Sequence, residues 1–217
     1  MSIQRDKILS EACDLLITGG LEGMSMRKLA GRVGVTAPAL YRHYASKEMV
    51  LVDVVGEAFK VFAQYLYRAL EGRTAMERFS LTGKWYLAFA LDHPRYYELL
   101  HTAHELMGHG ALPNEATDHA CATGQFMVDR VREGMESGML KEGSSETVAR
   151  TIWAHAHGLV SIYHRGLLRI DQDEFRRLFL ESSWRLMEGL AQPEFAAAMG
   201  DDVRESLAKG SRIQETS

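Results

Sequence analysis

Apolar positions recur along this chain with the 3.6-residue period of an α-helix, and polar positions fill the turns between them. Ile8, Ala12, Leu15 and Leu16 share one face, which predicts a helix over residues 4–19 that Gly19 and Gly20 end. Ser25 then offers an N-cap side chain, Met26, Leu29, Ala30 and Val33 form one stripe, and Gly34 supplies the left-handed residue that stops a short helix. Thr36 is a second N-cap, with Pro38 in the first turn where its missing N–H costs nothing, and this third helix reads over 37–44. Ser46 opens a longer helix that includes Val50, Val54, Phe59, Phe62 and Leu66 before Gly72. Further helices are predicted near 74–92, 95–107, 115–138, 145–168 and 173–191, separated by His93-Pro94, the 108–113 stretch, Gly143 and Asp171. Another reads near 194–209, and the polar tail from Gly210 is expected to fray. Alternating Val/Ile/Thr-rich segments do not occur, so the fold class is all-α.

Composition then narrows the class. The 217 residues are 46% hydrophobic and 25% charged, which excludes a disordered or collagen-like chain and suits one or two globular domains. Cys13 and Cys121 cannot build a disulfide framework, and the first residues are charged where a secretory signal would be apolar. No uncharged apolar stretch approaches the roughly 18 residues of a membrane span. A cytoplasmic protein without a membrane partner is expected.

The net charge of −4 is unevenly spread: residues 1–50 sum to +2, so the remainder sums to −6. Residues 25–47 carry five cations, Arg27, Lys28, Arg32, Arg42 and Lys47, and no acid. Two short helices joined by a Gly-containing turn, with basic and small residues outside the second, is the geometry that delivers a helix into the major groove. Leu40 and Tyr44, four residues apart, point inward toward Leu29 and Val33, which turns Thr36, Ala37, Ala39, Arg42 and His43 outward. Small residues at the helix start let the backbone approach base edges, and a helix N-terminus favours phosphate. Tyr41 and Lys47 suit backbone phosphates, and Arg42 and His43 suit base edges. The candidate DNA contacts are therefore Ser25, Arg27, Lys28, Thr36, Ala37, Pro38, Ala39, Tyr41, Arg42, His43 and Lys47. The alternative is a helix-turn-helix that serves packing alone, with a solvated basic face.

The stretch from Met24 to Glu48 has Leu29-Ala30, Val33-Gly34-Val35, Leu40-Tyr41-Arg42-His43-Tyr44 and Ser46-Lys47-Glu48 in order, and over residues 5–66 the chain resembles the TetR family of bacterial transcriptional regulators. The resemblance implies a homodimer whose N-terminal three-helix domains read a palindromic operator on double-stranded DNA, and a larger helical domain that binds an effector and dimerises. On that basis residues 1–50 are the DNA-binding domain, 51–210 the effector-binding and dimerisation domain, and 211–217 the tail. Trp153-Ala154-His155-Ala156-His157-Gly158 resembles the Trp-x-x-x-His-Gly element of one subgroup of TetR-like C-terminal domains. The family also implies that the last two major helices form a four-helix bundle with their copies. One carries the stripe Ile152, Ala156, Leu159, Val160 and Tyr163, the other Phe175, Leu178, Phe179, Ser182, Leu186 and Leu190. The interface candidates are Ala156, Leu159, Val160, Tyr163, Phe179, Ser182 and Leu186; the alternative is that these stripes face the monomer's own core.

The central helices are rich in aromatics and histidines. Trp85, Phe89, Tyr97, His101, Phe126 and Met127 are the candidate lining of a site for a mostly apolar or aromatic small molecule; aromatics at helical spacing also simply fill cores. Nine histidines raise the question of metal. His101-x-x-His104 fits one helix face, but His155-x-His157 places its rings far apart, and His119 or Cys121 would have to complete a set from a distance. The alternative functions are a helical metal-binding protein, a metal-responsive regulator, or a ferritin-like oxidoreductase, suggested by Glu98-x-x-His101. A second copy of that pair is missing, as Glu105 to His109 and Glu115 to His119 are one residue too long. No phosphate-cradling Gly loop, nucleophile elbow or His-Glu-x-x-His motif occurs. The expectation is a regulator, most often a repressor released by its effector, with no cofactor and no enzymatic activity.

Overall fold

The computed structural model describes the backbone of residues 2–106, 114–201 and 204, and the side chains of 5–20, 22–102, 121–201 and 204. The described chain is built from helices: α1 (Ser2–Gly23), α2 (Met26–Val33), α3 (Ala37–Tyr41), α4 (Lys47–Tyr67), a 3-10 turn (Arg68–Glu71), α5 (Ala75–Asp92), α6 (Pro94–Leu106), α7 (Asn114–Glu136), α8 (Ser145–His164) and α9 (Gln172–Leu190). Residues 193–201 are also helical. It divides into two compact units, one of residues 1–69 and 82–125, the other of 70–81 and 126–217.

The first unit is organised by α1, which packs on α2, α4 and α6. Its core joins Ile8, Leu9, Ala12 and Leu16 of α1 to Leu29 and Val33, Leu40, Val50, Val54 and Leu99, each less than a tenth exposed. Burying such side chains stabilises by roughly 1.5–3 kcal/mol each, which is what fixes a helix as short as α3. Arg95, in the first turn of α6, is ion-paired with Asp14 of α1.

The second unit has its own core of Val131, Met139, Leu140, Ala149, Met187 and Ala191, against which Met76, Phe79 and Ile152 pack. Arg78 pairs with Glu133 and donates to the Gly72 carbonyl at 2.7 Å, fastening the start of α5 to α7. Helix α9 opens on a reciprocal cap, with the Asp171 side chain accepting from Glu174 N at 2.8 Å and Asp171 N donating to the Glu174 carboxylate at 3.0 Å.

Three helix ends lie three or more residues from expectation. Gly20 kinks α1 at φ 62° instead of ending it, and the helix resumes to Gly23. Helix α3 stops at Tyr41, where the pattern ran to 44, and α8 stops at His164, where it ran to 168. The tail 211–217 and most of the segment beyond 201 lie outside the described residues.

Candidate nucleic-acid interface

Side-chain caps set the helix-turn-helix. Ser25 Oγ accepts from Lys28 N at 3.2 Å and starts α2, Thr36 Oγ1 accepts from Ala39 N at 3.3 Å and starts α3, and Ser46 Oγ accepts from Met49 N at 3.3 Å and starts α4. Between α2 and α3, Gly34 takes φ 85°, so that its N–H and that of Val35 both reach the Ala30 carbonyl at 2.9 Å. Leu40 and Tyr44 turn inward as their spacing requires. Thr36, Pro38, Tyr41, Arg42 and His43 are exposed, with Ala37 and Ala39 half-buried between them. A helix face of small residues and donors therefore stands clear of the core. Arg27 and Lys28 are exposed on α2, while Ser25 and Lys47 are half-buried at helix starts.

The basic island is less bare than its sequence. Arg32 pairs with Glu11 of α1 at 3.2 Å, and Lys28 Nζ donates to the Gly23 carbonyl at 3.0 Å. The sequence offered no sign of these, because both partners precede residue 25. Just beyond α3, the Tyr44 hydroxyl donates to Asp53 Oδ2 of α4 at 2.5 Å, and Arg5 donates to Asp53 Oδ1 at 3.0 Å. Burial first, and the hydrogen bond to Asp53 second, push the Tyr44 phenol well above its ordinary value, so it remains a donor at any working pH.

Of the effector candidates, Trp85, Phe89, Tyr97 and His101 fall in the first unit, Phe126 and Met127 in the second. Phe89 and Tyr97 lie inside an aromatic cluster that also takes Phe62, with ring centroids 4.8 Å from Phe89, and Tyr86, whose hydroxyl is 2.9 Å from that of Tyr97. His101 sits 4.4 Å from the Tyr97 ring, and its Nδ1 lies 2.7 Å from the Tyr97 carbonyl oxygen, which places a proton on that nitrogen. Trp85 meets Tyr65 edge-on, and the Arg68 guanidinium lies 4.7 Å from its ring centre. Phe62, Tyr65 and Tyr86 are members that sequence reasoning left off the candidate lining. Phe126 carries the Arg130 guanidinium 5.1 Å above its ring, and Met127 is half-buried. Among the described residues no three His, Cys, Asp or Glu side chains gather as metal ligands. The side chains of His104 and His119, and all of His109, lie outside them.

Two family models match this chain. One, described as bacterial regulatory proteins of the tetR family, covers residues 8–54, which hold the whole helix-turn-helix. The other, described as the tetracyclin repressor-like C-terminal domain, covers residues 79–182. The chain belongs to the TetR family.

Among TetR-family relatives, the tetracycline repressor protein class C of Escherichia coli is 43% identical over 56 residues, 26% of this chain and 25% of that one. The chain thus spans about a quarter of the length of the first curated relatives it matches. The nucleoid occlusion factor SlmA of Vibrio vulnificus is 28% identical over 156 residues, 70% of this chain and 77% of that protein. A solved structure from Rhodococcus sp. RHA1, titled as a protein of unknown function, is 25% identical with a TM-score of 0.72, covering 87% of this chain and 96% of that one.

The TetR-type interface candidates divide by burial. Val160 is 0% and Phe179 6% exposed, so both are buried within this chain, and α8 packs on α9. Tyr163 stacks on Phe175 with centroids 4.0 Å apart. Ala156, Leu159, Ser182 and Leu186 are half-buried. Trp153, Ile162, Leu178 and Leu180 are the large apolar residues that α8 and α9 expose. Periodicity identified the stripes but not which edge of each meets its own partner helix. His155 Nε2 is buried without a hydrogen-bond partner, and burial lowers the pKa of His155 and His157.

Proposed function

We propose that this TetR-family protein is a homodimeric DNA-binding transcriptional regulator, a repressor released from a palindromic operator by a small-molecule effector of apolar or aromatic character. The observation that carries the reading is the exposed face of Thr36, Tyr41, Arg42 and His43 on a capped helix-turn-helix whose Met26, Leu29, Ala30, Val33 and Leu40 are buried in the core. The tetracycline repressor's name supports the sign of regulation. Residues 1–50 act as the DNA-reading domain and 51–210 as the effector and dimer domain, the latter of the subgroup with Trp153-x-x-x-His157-Gly158. The protein acts in the cytoplasm, and no helix of its described residues is long and apolar enough to cross a membrane.

Helix α6 supports a release mechanism. Tyr96, Leu99 and Leu100 pack with the DNA-reading core, whereas Tyr97 and His101 belong to the aromatic cluster. An effector that favours one position of α6 shifts the population of DNA-reading domains by the ratio of its affinities for the two states. A dimer reading successive major grooves needs its recognition helices about 34–36 Å apart, so a small pivot of α4 abolishes the fit. The test is the Arg42→Ala variant. It loses about tenfold or more in affinity for a selected duplex while holding its affinity for random duplex. Equal loss on both overturns the assignment.

A further inference from the structure

The recognition segment is short and needs outside support. Helix α3 spans five residues, too few to hold its direction by its own hydrogen bonds. Leu40, fully buried, anchors it at one point, and Tyr41, Arg42 and His43 follow as exposed residues before the chain turns inward again at Tyr44. Ala37 packs against the same core, and the Tyr44 ring is buried in it, so the exit of α3 is held by packing and by one polar contact. That polar contact is the hydrogen bond from the Tyr44 hydroxyl to Asp53 Oδ2, 2.5 Å long. The Asp53 carboxylate is itself held, because Oδ1 accepts from Arg5 of α1 at 3.0 Å, and Arg5 also lies 3.6 Å from Glu57, one turn further along α4. A single carboxylate thus joins α1, α4 and the exit of the recognition helix.

We propose that Asp53 is a positioning residue for DNA recognition: through Tyr44 it fixes the direction in which Arg42 and His43 leave α3. This rests on the DNA-binding reading above. Asp53 itself touches no DNA; its side chain is 35% exposed on α4 and acts through Tyr44. Because Arg5 is committed to Asp53 and Glu57, it belongs to this brace and not to the cations that meet phosphate.

The test uses the full chain with Tyr44→Phe, Asp53→Ala and the double variant. Tyr44→Phe keeps the buried ring, and Ala suits an α4 interior position, so both variants fold. Each single variant lowers affinity for a duplex selected by the wild type about tenfold, the size of one charge-assisted hydrogen bond, and leaves random-duplex affinity unchanged. The double variant loses no more than the weaker single, as groups acting as one unit do. Backbone amides of residues 41–45 exchange faster with solvent in all three. A lower melting midpoint with an unchanged ratio of selected to random affinity, measured well below that midpoint, means a merely structural bond and overturns the proposal. If the wild type enriches no sequence at all, the DNA-binding reading fails and this proposal falls with it.

Discussion

Tyr96 and Tyr97 are neighbours in α6 and face different cores: Tyr96 packs with the helix-turn-helix core, and Tyr97, 2% exposed, pairs its hydroxyl with that of Tyr86. Adjacent residues lie about 100° apart around a helix, so one element serves both sets of contacts. A displacement of α6 that disturbs the aromatic cluster is therefore felt at α1 and α4 directly, through Leu99 and the Arg95–Asp14 pair.

The Tyr86–Tyr97 pair gives a stability prediction. Tyr97→Phe leaves the Tyr86 hydroxyl, on a residue 3% exposed, without this partner, at a cost of about 1–3 kcal/mol. The double variant Tyr86→Phe with Tyr97→Phe removes both hydroxyls and costs less than the two singles added. Urea unfolding of the four proteins checks this, and strict additivity contradicts a direct bond between the two groups.

Two glycines of the helix-turn-helix respond to alanine with opposite signs. Gly31 is exposed inside α2 with open space around its would-be Cβ, so Gly31→Ala stabilises by roughly 0.5–1 kcal/mol. Gly34 has equally open space but φ 85°, so Gly34→Ala destabilises by about 1 kcal/mol through backbone conformation alone. Thermal midpoints that move the same way in both variants contradict this.

Much of this was legible in the chain, for local reasons. Ser25, Gly34, Thr36 and Ser46 act on backbone groups within a few residues, so the starts of α2, α3 and α4 and the end of α2 follow from the sequence. The end of α1 did not, because a glycine at positive φ can kink a helix as well as end it, and the chain is helical again after Gly20. The Tyr44–Asp53 and Arg32–Glu11 contacts join residues on different elements, which periodicity cannot pair. The same gap covers α8 and α9: both stripes were visible, but not the pairing of Tyr163 with Phe175 between them.

Acid weakens the second unit through a named group. The Arg78 guanidinium, and Arg130 beside it, hold the Glu133 carboxyl below its ordinary value of 4.5. Its contribution is fully present above that unfolded value and is lost as pH falls through the lowered folded value, where the native carboxylate must take up a proton. Unfolding midpoints of the wild type therefore drop as pH goes below about 4.5, and Glu133→Gln shows a shallower drop from a lower starting point. Parallel curves for the two proteins contradict this role.

Lys47 and His43 separate by salt. Lys47→Ala weakens binding to selected and random duplex alike and lowers the slope of log affinity against log salt by roughly one unit if it neutralises one phosphate. His43→Ala weakens selected duplex more than random duplex and leaves the slope in place. Identical behaviour of the two variants contradicts the division between phosphate and base contacts.

The most direct measurement is selection of bound duplexes from a random library at near-physiological salt, with the mass of the complex determined alongside. A dimeric operator-reading protein enriches a two-fold symmetric motif, with half-sites spaced about one helical turn or a multiple of it, bound by two copies of this chain. A folded, effector-free protein that enriches no sequence, or that binds as a single copy without symmetry, contradicts it.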